Sequence, residues 1–222
     1  MRLDLHTHTY VSGDSSTTFD EYREAFLKSG IDIVAVTDHL TVDGALQLRQ
    51  MLPNRVIVGQ EFRCDLGEVI GLYLEESIPP LLTFAAAIDR IRDQGGLVMI
   101  PHPNDLVRVS IDLEEVEDFA RRGFIDIIEA GNSKSKPDGT CKGARAFAER
   151  FSIPMVSNSD AHVEGAIGSS FTETDSGVDC SDPESLLEAL KSSNCKISYF
   201  DPPRRWRSRV VPSSTNSSFK CL

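Results

Sequence analysis

The sequence contains no long apolar run and no ordered set of cysteines. No stretch approaches the roughly 20 consecutive apolar residues that cross a bilayer, and the opening Met1–His6 lacks the apolar character of a secretion signal. The five cysteines are scattered, odd in number and without C-x-x-C spacing. This pattern favours free thiols in a reducing compartment over a disulfide framework, so we expect a cytoplasmic protein with no membrane association.

Positive charge is also scarce. The 222 residues include 34 acidic and 23 basic side chains, and the net charge of −11 argues against broad binding to a nucleic-acid backbone. A phosphorylated substrate remains compatible with this charge, because bound divalent cations reverse the field locally.

The C-terminal segment is the exception to this acidic composition. From Pro203 onward it has no acidic residue and five basic ones, namely Arg204, Arg205, Arg207, Arg209 and Lys220. We predict a folded domain over residues 1–200 and a basic, Ser/Pro-rich tail over residues 201–222. Trp206 among these cations would suit contact with a short RNA or DNA end, but a frayed terminus or a packing strap is the simpler interpretation.

Short β-branched runs alternate with longer amphipathic stretches along the chain. Predicted strands are Leu3–Leu5, Ile33–Val36, Val56–Val58, Val69–Leu74, Leu97–Ile100, Ile125–Ile128 and Met155–Ser157. Predicted helices are Phe19–Lys28, Val42–Met51, Thr83–Gln94, Leu113–Arg122, Gly143–Phe151 and Pro183–Lys191. Such alternation is typical of an α/β protein with a parallel sheet, either a barrel or an open sheet.

Histidine is rare, and all five histidines lie in short polar clusters, nearly all directly after a predicted strand. These clusters are Asp4-Leu5-His6-Thr7-His8, Thr37-Asp38-His39, Pro101-His102-Pro103 and Ser159-Asp160-Ala161-His162. Two acidic clusters, around Glu61 and Glu129–Asn132, also follow strand-like runs. Each motif alone is weak, because a single histidine after a strand is more often a hydrogen-bonded loop residue. Parallel strands bring their carboxyl ends to one edge of the sheet, so six such motifs together predict one active site there.

The number of candidate donors predicts more than one metal ion. Five imidazoles with Glu61, Asp160, Asp14 and Glu129 exceed the ligands that one tetrahedral zinc ion takes. A carboxylate such as Glu61 is a natural bridge between two ions. Asp4 lies two residues before His6, where it could orient that imidazole.

The ordered motifs resemble those of the PHP (polymerase and histidinol phosphatase) family, specifically its stand-alone metal-dependent phosphoesterase branch. The matching pieces run from Asp4 to His162 and are D-L-H-T-H-T, S-G-D, T-D-H, Glu61, P-H-P, E-A-G-N and S-D-A-H. The resemblance implies a distorted (β/α)7 TIM-like barrel with two or three Zn, Mn or Fe ions. It assigns His6, His8, Glu61 and Asp160 to one ion, Glu61 and His102 to a second, and Asp14, His39 and His162 to a third. Asp4, Glu129 and Asn132 are further candidates for direct or indirect metal contact.

The resemblance also implies a metal-dependent phosphoesterase that acts on a small phosphorylated metabolite, a nucleotide or a short oligonucleotide through metal-activated water. Asp38 and His162 are candidates for proton transfer, and Arg108, Lys134 and Lys136 are candidates for contact with substrate phosphate. The alternatives are hydrolysis of a C–N or carboxylic ester bond, or a phosphatase similar to histidinol phosphatase. A non-enzymatic domain with a structural metal cluster is a third possibility, and no stable protein partner is expected.

Overall fold

The computed structural model describes residues 1–175 and 180–201, and most of the predicted tail lies outside them. Its nine strands are β1 (Arg2–Thr7), β2 (Ile33–Val36), β3 (Val56–Arg63), β4 (Glu68–Leu72), β5 (Leu97–Ile100), β6 (Ile127–Asn132), β7 (Met155–Asn158), β8 (Phe171–Glu173) and β9 (Asn194–Lys196). The α-helices of the described part are α1 (Phe19–Ser29), α2 (Asp43–Met51), α3 (Phe84–Asp93), α4 (Glu117–Arg121), α5 (Ala144–Phe151) and α6 (Pro183–Leu190). None of these helices has the length and apolar composition that crossing a bilayer requires.

The strands form one sheet in the order β7-β6-β5-β4-β3-β2-β1-β8-β9. The sheet curls until its first and seventh strands meet. The backbone N–H of Leu5 in β1 donates to Asn158 Oδ1 at 2.8 Å, and Thr7 forms an isolated parallel bridge with Ala161. The predicted distorted (β/α)7 barrel is thereby confirmed as a nearly closed, barrel-like sheet.

The distortion lies in β4, which runs antiparallel to both β3 and β5. The predicted parallel sheet is therefore interrupted at β4, and β8 also pairs antiparallel with β1 and β9. β3 continues beyond the predicted Val56–Val58 as far as Arg63 and turns directly into β4. Glu61 consequently lies inside a strand, where it pairs with Ile70, instead of following one.

Local capping signals account for the starts of three of the six described helices and for the end of α1. Thr18 and Glu21 form a reciprocal capping box at the start of α1, and Gly30 ends that helix with φ of 75°. Thr83 caps α3 by accepting from Ala86 N–H, and Asp182 caps α6 ahead of the N1 proline Pro183. The predicted helix Leu113–Arg122 is instead a 3₁₀ turn, Leu113–Val116, followed by the short α4.

Two apolar clusters support the sheet. The larger joins strand residues to α1–α5, and the smaller joins residues of β1–β7 to α6. The chain then returns as a strap, residues 194–200, over the loop that follows β6. Ile197 packs against Gly131 and Gly139, where any Cβ would lie within 3.0 Å of it, and Phe200 N–H donates to Ser133 O at 2.8 Å.

Candidate metal centre

All five histidines converge at one end of the barrel, as the strand-end pattern predicts. His6 lies in β1 and His8 just beyond it, while His39, His102 and His162 follow β2, β5 and β7. His6, His8, His102 and His162 are buried, and His39 is partly exposed. His102 and Asp160 have positive φ, 27° and 50°, which non-glycine residues adopt mainly where the surroundings impose it. The protein therefore holds these side chains in a strained but fixed arrangement.

Four donor atoms face a common point, as the first predicted ion position requires. His6 Nε2 lies 3.1 Å from His8 Nε2 and 3.2 Å from Glu61 Oε2. His8 Nε2 is 3.3 Å from the same Glu61 oxygen. Asp160 Oδ1 lies 3.6 Å from His6 Nε2 and 3.5 Å from His8 Nε2. Ligands about 2.1 Å from a tetrahedral ion are about 3.4 Å apart, so these donors fit a divalent cation.

Glu61 presents its two oxygens to different histidines. Oε2 faces His6 and His8, whereas Oε1 lies 2.9 Å from His102 Nε2. This is the geometry of a bridging carboxylate between two cation positions. A second carboxylate that the motifs did not predict, Glu68, lies with Oε2 3.8 Å from His102 Nε2. The only sequence feature that could have indicated Glu68 is its position seven residues after Glu61, in the strand that pairs back with β3.

The third predicted position lies nearer to solvent. Asp14 Oδ2 is 2.9 Å from His162 Nε2 and 3.3 Å from His39 Nε2. Donor atoms of His8, Asp14, His39 and His162 all lie within 4.8 Å of one another. The Asp14 side chain is 47% exposed and that of His39 27%, so this position forms the mouth of the cluster.

The acidic and imidazole side chains of the cluster shift one another's pKa values. Burial alone would raise the pKa of the Glu61 carboxyl, but His6 and its other imidazole neighbours hold it well below the usual range. Burial likewise opposes ionisation of Asp160, yet Lys134 and His6 lower its pKa. The pKa of His6 is raised because Asp160, Glu61 and Glu129 outweigh the effect of burial. The donor set thus favours bound positive charge, which a divalent cation would supply at the same atoms.

Glu129 orients the cluster from behind. Its Oε1 lies 3.2 Å from His6 Nδ1, and its Oε2 accepts from the backbone N–H of His102 at 2.6 Å. Asn132 Nδ2 donates to Glu129 Oε2 at 2.9 Å and to Asp160 Oδ2 at 3.1 Å. Glu129 therefore fixes the ring orientation of His6. This is the role that the sequence pattern assigned to Asp4.

Asp4 faces elsewhere. It accepts from Ser159 N–H, the Ser159 hydroxyl and Gly168 N–H at 2.6–3.0 Å, and so holds the loop after β7. A bulge in the pairing of β1 with β2 between Asp4 and Thr7 breaks the simple period of two that placed it beside His6.

Asp38 is completely buried, and both of its oxygens are occupied by Thr9. Thr9 N–H and its hydroxyl donate to Asp38 at 2.6 and 2.7 Å, and burial raises the pKa of this carboxyl to about 6. Its predicted role in proton transfer stays a prediction, and these contacts favour a role in shaping the loop after β1.

Two of the three predicted phosphate-binding cations reach the cluster. Arg108 Nη1 donates to Asp160 Oδ2 at 2.5 Å, and Lys134 Nζ lies 3.3 Å from Asp160 Oδ1. Asp105 and Ser135 hold the other guanidinium nitrogens of Arg108. Lys136 is exposed and makes no such contact; it lines the pocket that begins at Arg108 and Lys134.

That pocket has a volume of about 940 Å³. Apolar and aromatic residues, including Leu106, Val107, Tyr199 and Phe200, line it beside the cations. It can accommodate a molecule much larger than a phosphate group.

Comparison with known proteins places this geometry in a family. The PHP domain matches residues 4–121, and the PHP-associated C-terminal region matches residues 140–195. The chain belongs to the PHP family. An uncharacterised protein of Methanocaldococcus jannaschii is 31% identical over 175 residues, which cover 77% of this chain and 69% of that protein.

Two further proteins are similar to this chain, one in sequence and one in fold. A protein of Thermoanaerobacter sp. named a probable phosphatase is 26% identical over 200 residues, covering 75% of this chain and 81% of its own. In fold, the chain is similar to a two-domain protein of Bacteroides vulgatus named for a predicted PHP-like metal-dependent phosphoesterase, with a TM-score of 0.73 and 16% identity. That match covers 89% of this chain and 65% of the larger protein. With its clustered donors, this member of the PHP family is a metal-dependent hydrolase.

Proposed function

We propose that this protein hydrolyses phosphoesters of small molecules or short nucleic-acid ends, with two or three divalent ions held as the motifs predict. The main support is the position of Arg108 and Lys134, which bring two cations to the edge of the donor cluster. Guanidinium and ammonium groups are the usual protein partners of phosphoryl oxygens. The likeness to a protein named a probable phosphatase points the same way.

The bound ions and the residues of the site would have different roles in the reaction. Bound divalent ions would supply Lewis acidity and lower the pKa of water. Arg108 and Lys134 would neutralise the phosphoryl oxygens as negative charge develops. Burial, Lys134 and His8 lower the pKa of His162 to about 4, so this imidazole is neutral near pH 7 and suited to be a ligand. We therefore favour a ligand role for His162 over a role as proton donor.

The neighbouring pocket would bind the rest of the substrate. Its volume of about 940 Å³ is near the upper end of the ~300–1,000 Å³ typical of ligand sites. Tyr199 and Phe200 offer aromatic surface, and the exposed Lys136 offers a further charge. A substrate with a ring-containing body, as nucleotides have, would use these features better than a small phosphorylated sugar.

A substrate panel tests the proposal. The purified protein with added Mn²⁺ or Zn²⁺ is expected to release phosphate or nucleoside from phosphomonoesters, nucleotides or short oligonucleotides. Activity confined to amides or carboxylic esters would overturn the proposal in favour of the alternative hydrolase chemistry.

A cation variant adds a second test. Lys134→Met is expected to raise KM for a phosphoester about tenfold, whereas an uncharged ester should be unaffected. Lys28→Met, which removes an exposed lysine of α1, is the matched control.

A further inference from the structure

The loop that follows His102 presents two aliphatic side chains to solvent. Leu106 is 97% exposed and Val107 is 90% exposed, and no other large apolar side chain among the described residues is as exposed. A single exposed apolar residue is ordinary, but an adjacent pair at the rim of a cavity is typical of a binding surface. Both residues line the pocket of about 940 Å³ that begins at Arg108. We call this pair the apolar tip.

Hydrogen bonds hold the loop that carries the apolar tip. Asn104 N–H donates to Ile111 O at 3.0 Å and closes the loop at its base. Asp105 Oδ1 accepts from the backbone N–H groups of Val107 and Arg108 at 2.8 and 3.2 Å. The backbone of the tip therefore has a defined turn conformation, in which its two apolar side chains stay at the pocket.

An aromatic wall, formed by Tyr199 and Phe200, lines the same pocket. The strap fixes this wall, because Phe200 N–H donates to Ser133 O at 2.8 Å and Phe200 also packs against the larger apolar cluster. Arg108, a candidate for phosphate contact, directly follows Val107 in the chain. A phosphoryl group beside Arg108 would thus leave the adjoining part of its substrate in the space that the apolar tip and the aromatic wall share.

We propose that Leu106 and Val107 determine substrate specificity by holding a planar ring of the substrate against the aromatic wall. The inference rests on the proposed function, since it takes the reacting phosphate to lie at the metal cluster. Apolar and aromatic side chains pack well against the faces of a ring, whereas the hydroxyl groups of a sugar or polyol would lose hydrogen bonds to water there. A phosphoester with a ring-containing body therefore makes a contact that glycerol phosphate does not.

Two other interpretations of the apolar tip lead to different results. The tip could be a contact between two copies of the chain, in which case its substitution would change the molar mass in solution. It could also be a solvent-exposed turn that binds nothing, in which case its substitution would change neither binding nor assembly.

Steady-state kinetics with two substrates test the proposal. We would compare wild type with Leu106→Ser/Val107→Ser on adenosine monophosphate, which has a ring system, and on glycerol phosphate, which has none. The KM for adenosine monophosphate is expected to rise about tenfold or more, because polar replacements remove apolar contact with the ring, while the KM for glycerol phosphate stays unchanged. Leu81→Ser, at an exposed apolar site outside the pocket, is the matched control.

A conservative variant shows whether apolar contact is the cause. Leu106→Met/Val107→Ile keeps the apolar character of the tip and should retain the wild-type KM for both substrates. An unchanged KM for adenosine monophosphate in the serine variant would overturn the proposal, and a change of molar mass in light scattering would then assign the tip to a contact between copies. An equal rise of KM for both substrates would also overturn it, because the effect would not depend on the ring.

Calorimetric titration with adenosine separates this inference from the proposed function. Adenosine carries the ring system but no phosphate, so its binding requires no turnover. Weaker adenosine binding by the serine variant, in a protein that hydrolyses no phosphoester, would refute the proposed function and support the role of the apolar tip. Phosphoesterase activity with equal adenosine binding by wild type and the serine variant would support the proposed function and contradict the inference.

Discussion

The floor and the mouth of the donor cluster differ in how firmly the protein holds them. At the floor, His6, Glu61 and Asp160 have side chains 0–2% exposed, and each contacts several other polar groups. At the mouth, Asp14 and His39 are partly exposed, and Asp14 belongs to the loop after the 3₁₀ turn Tyr10–Ser12. We therefore expect substitutions at the floor to cost more metal affinity than substitutions at the mouth.

Substituting the floor carboxylate Asp160 should have the largest effect. Asp160→Asn removes an oxygen donor and leaves Arg108 and Lys134 without their shared anion. Since loss of even an indirect partner costs about 10–100-fold in metal affinity, we expect at least about a 100-fold loss here. Titration with a competing chelator measures it. Asp89→Asn, at an exposed site on α3, is the control, and equal affinities would contradict this expectation.

Changing the support behind the floor should have the next largest effect. Glu129→Gln would place an amide N–H₂ against groups that now donate to the carboxylate, among them His102 N–H and Asn158 Nδ2. We expect metal affinity and kcat to fall about 10–100-fold. Metal titration and steady-state kinetics test this, and an unchanged metal affinity would show that His6 is oriented by other contacts.

Substitution at the mouth should be more selective. Asp14→Asn removes the carboxylate that faces His39 and His162. We expect loss of about one metal equivalent, because the deeper donors do not depend on Asp14. Metal counting beside activity measures it. Simultaneous loss of every metal would show that floor and mouth bind as one unit.

The smallest effect on activity is expected at Asp38, which lies behind the mouth. Asp38→Asn keeps an acceptor for Thr9 N–H and a group that can pair with its hydroxyl. If Asp38 shapes the loop, kcat should change less than about tenfold, below the 10²–10⁴-fold typical of a lost acid or base. A loss within that larger range, with metal content and thermal stability unchanged, would restore the predicted role in proton transfer.

The sequence predicted the parts of the site that strand ends determine. His6, His8, His39, His102, Asp160 and His162 follow or close short apolar runs, and the barrel brings these ends together. Glu68 escaped prediction because its proximity to His102 depends on the β3–β4 hairpin, and alternating strands and helices gave no sign of an antiparallel pair. Asp4 was misplaced because a bulge is a tertiary feature that a period of two does not reveal.

The pocket beside the cluster was also not predictable from the sequence, and the reason is different. Tyr199 and Phe200 reach it from the strap, more than 60 residues after the loop that carries Lys134 and Lys136. No local pattern relates two segments so far apart in the chain. The predicted basic tail beyond residue 201 lies outside the described residues, and its role stays a prediction.

The strap also bears on the order in which the protein matures on the ribosome. The loop after β6 completes its packing against Ile197, and its Ser133 carbonyl gains its partner from Phe200. During synthesis, the histidines of β1 and β2 emerge long before these two residues. The side chains of the histidine cluster are therefore synthesised before the residues that complete the wall of the neighbouring pocket.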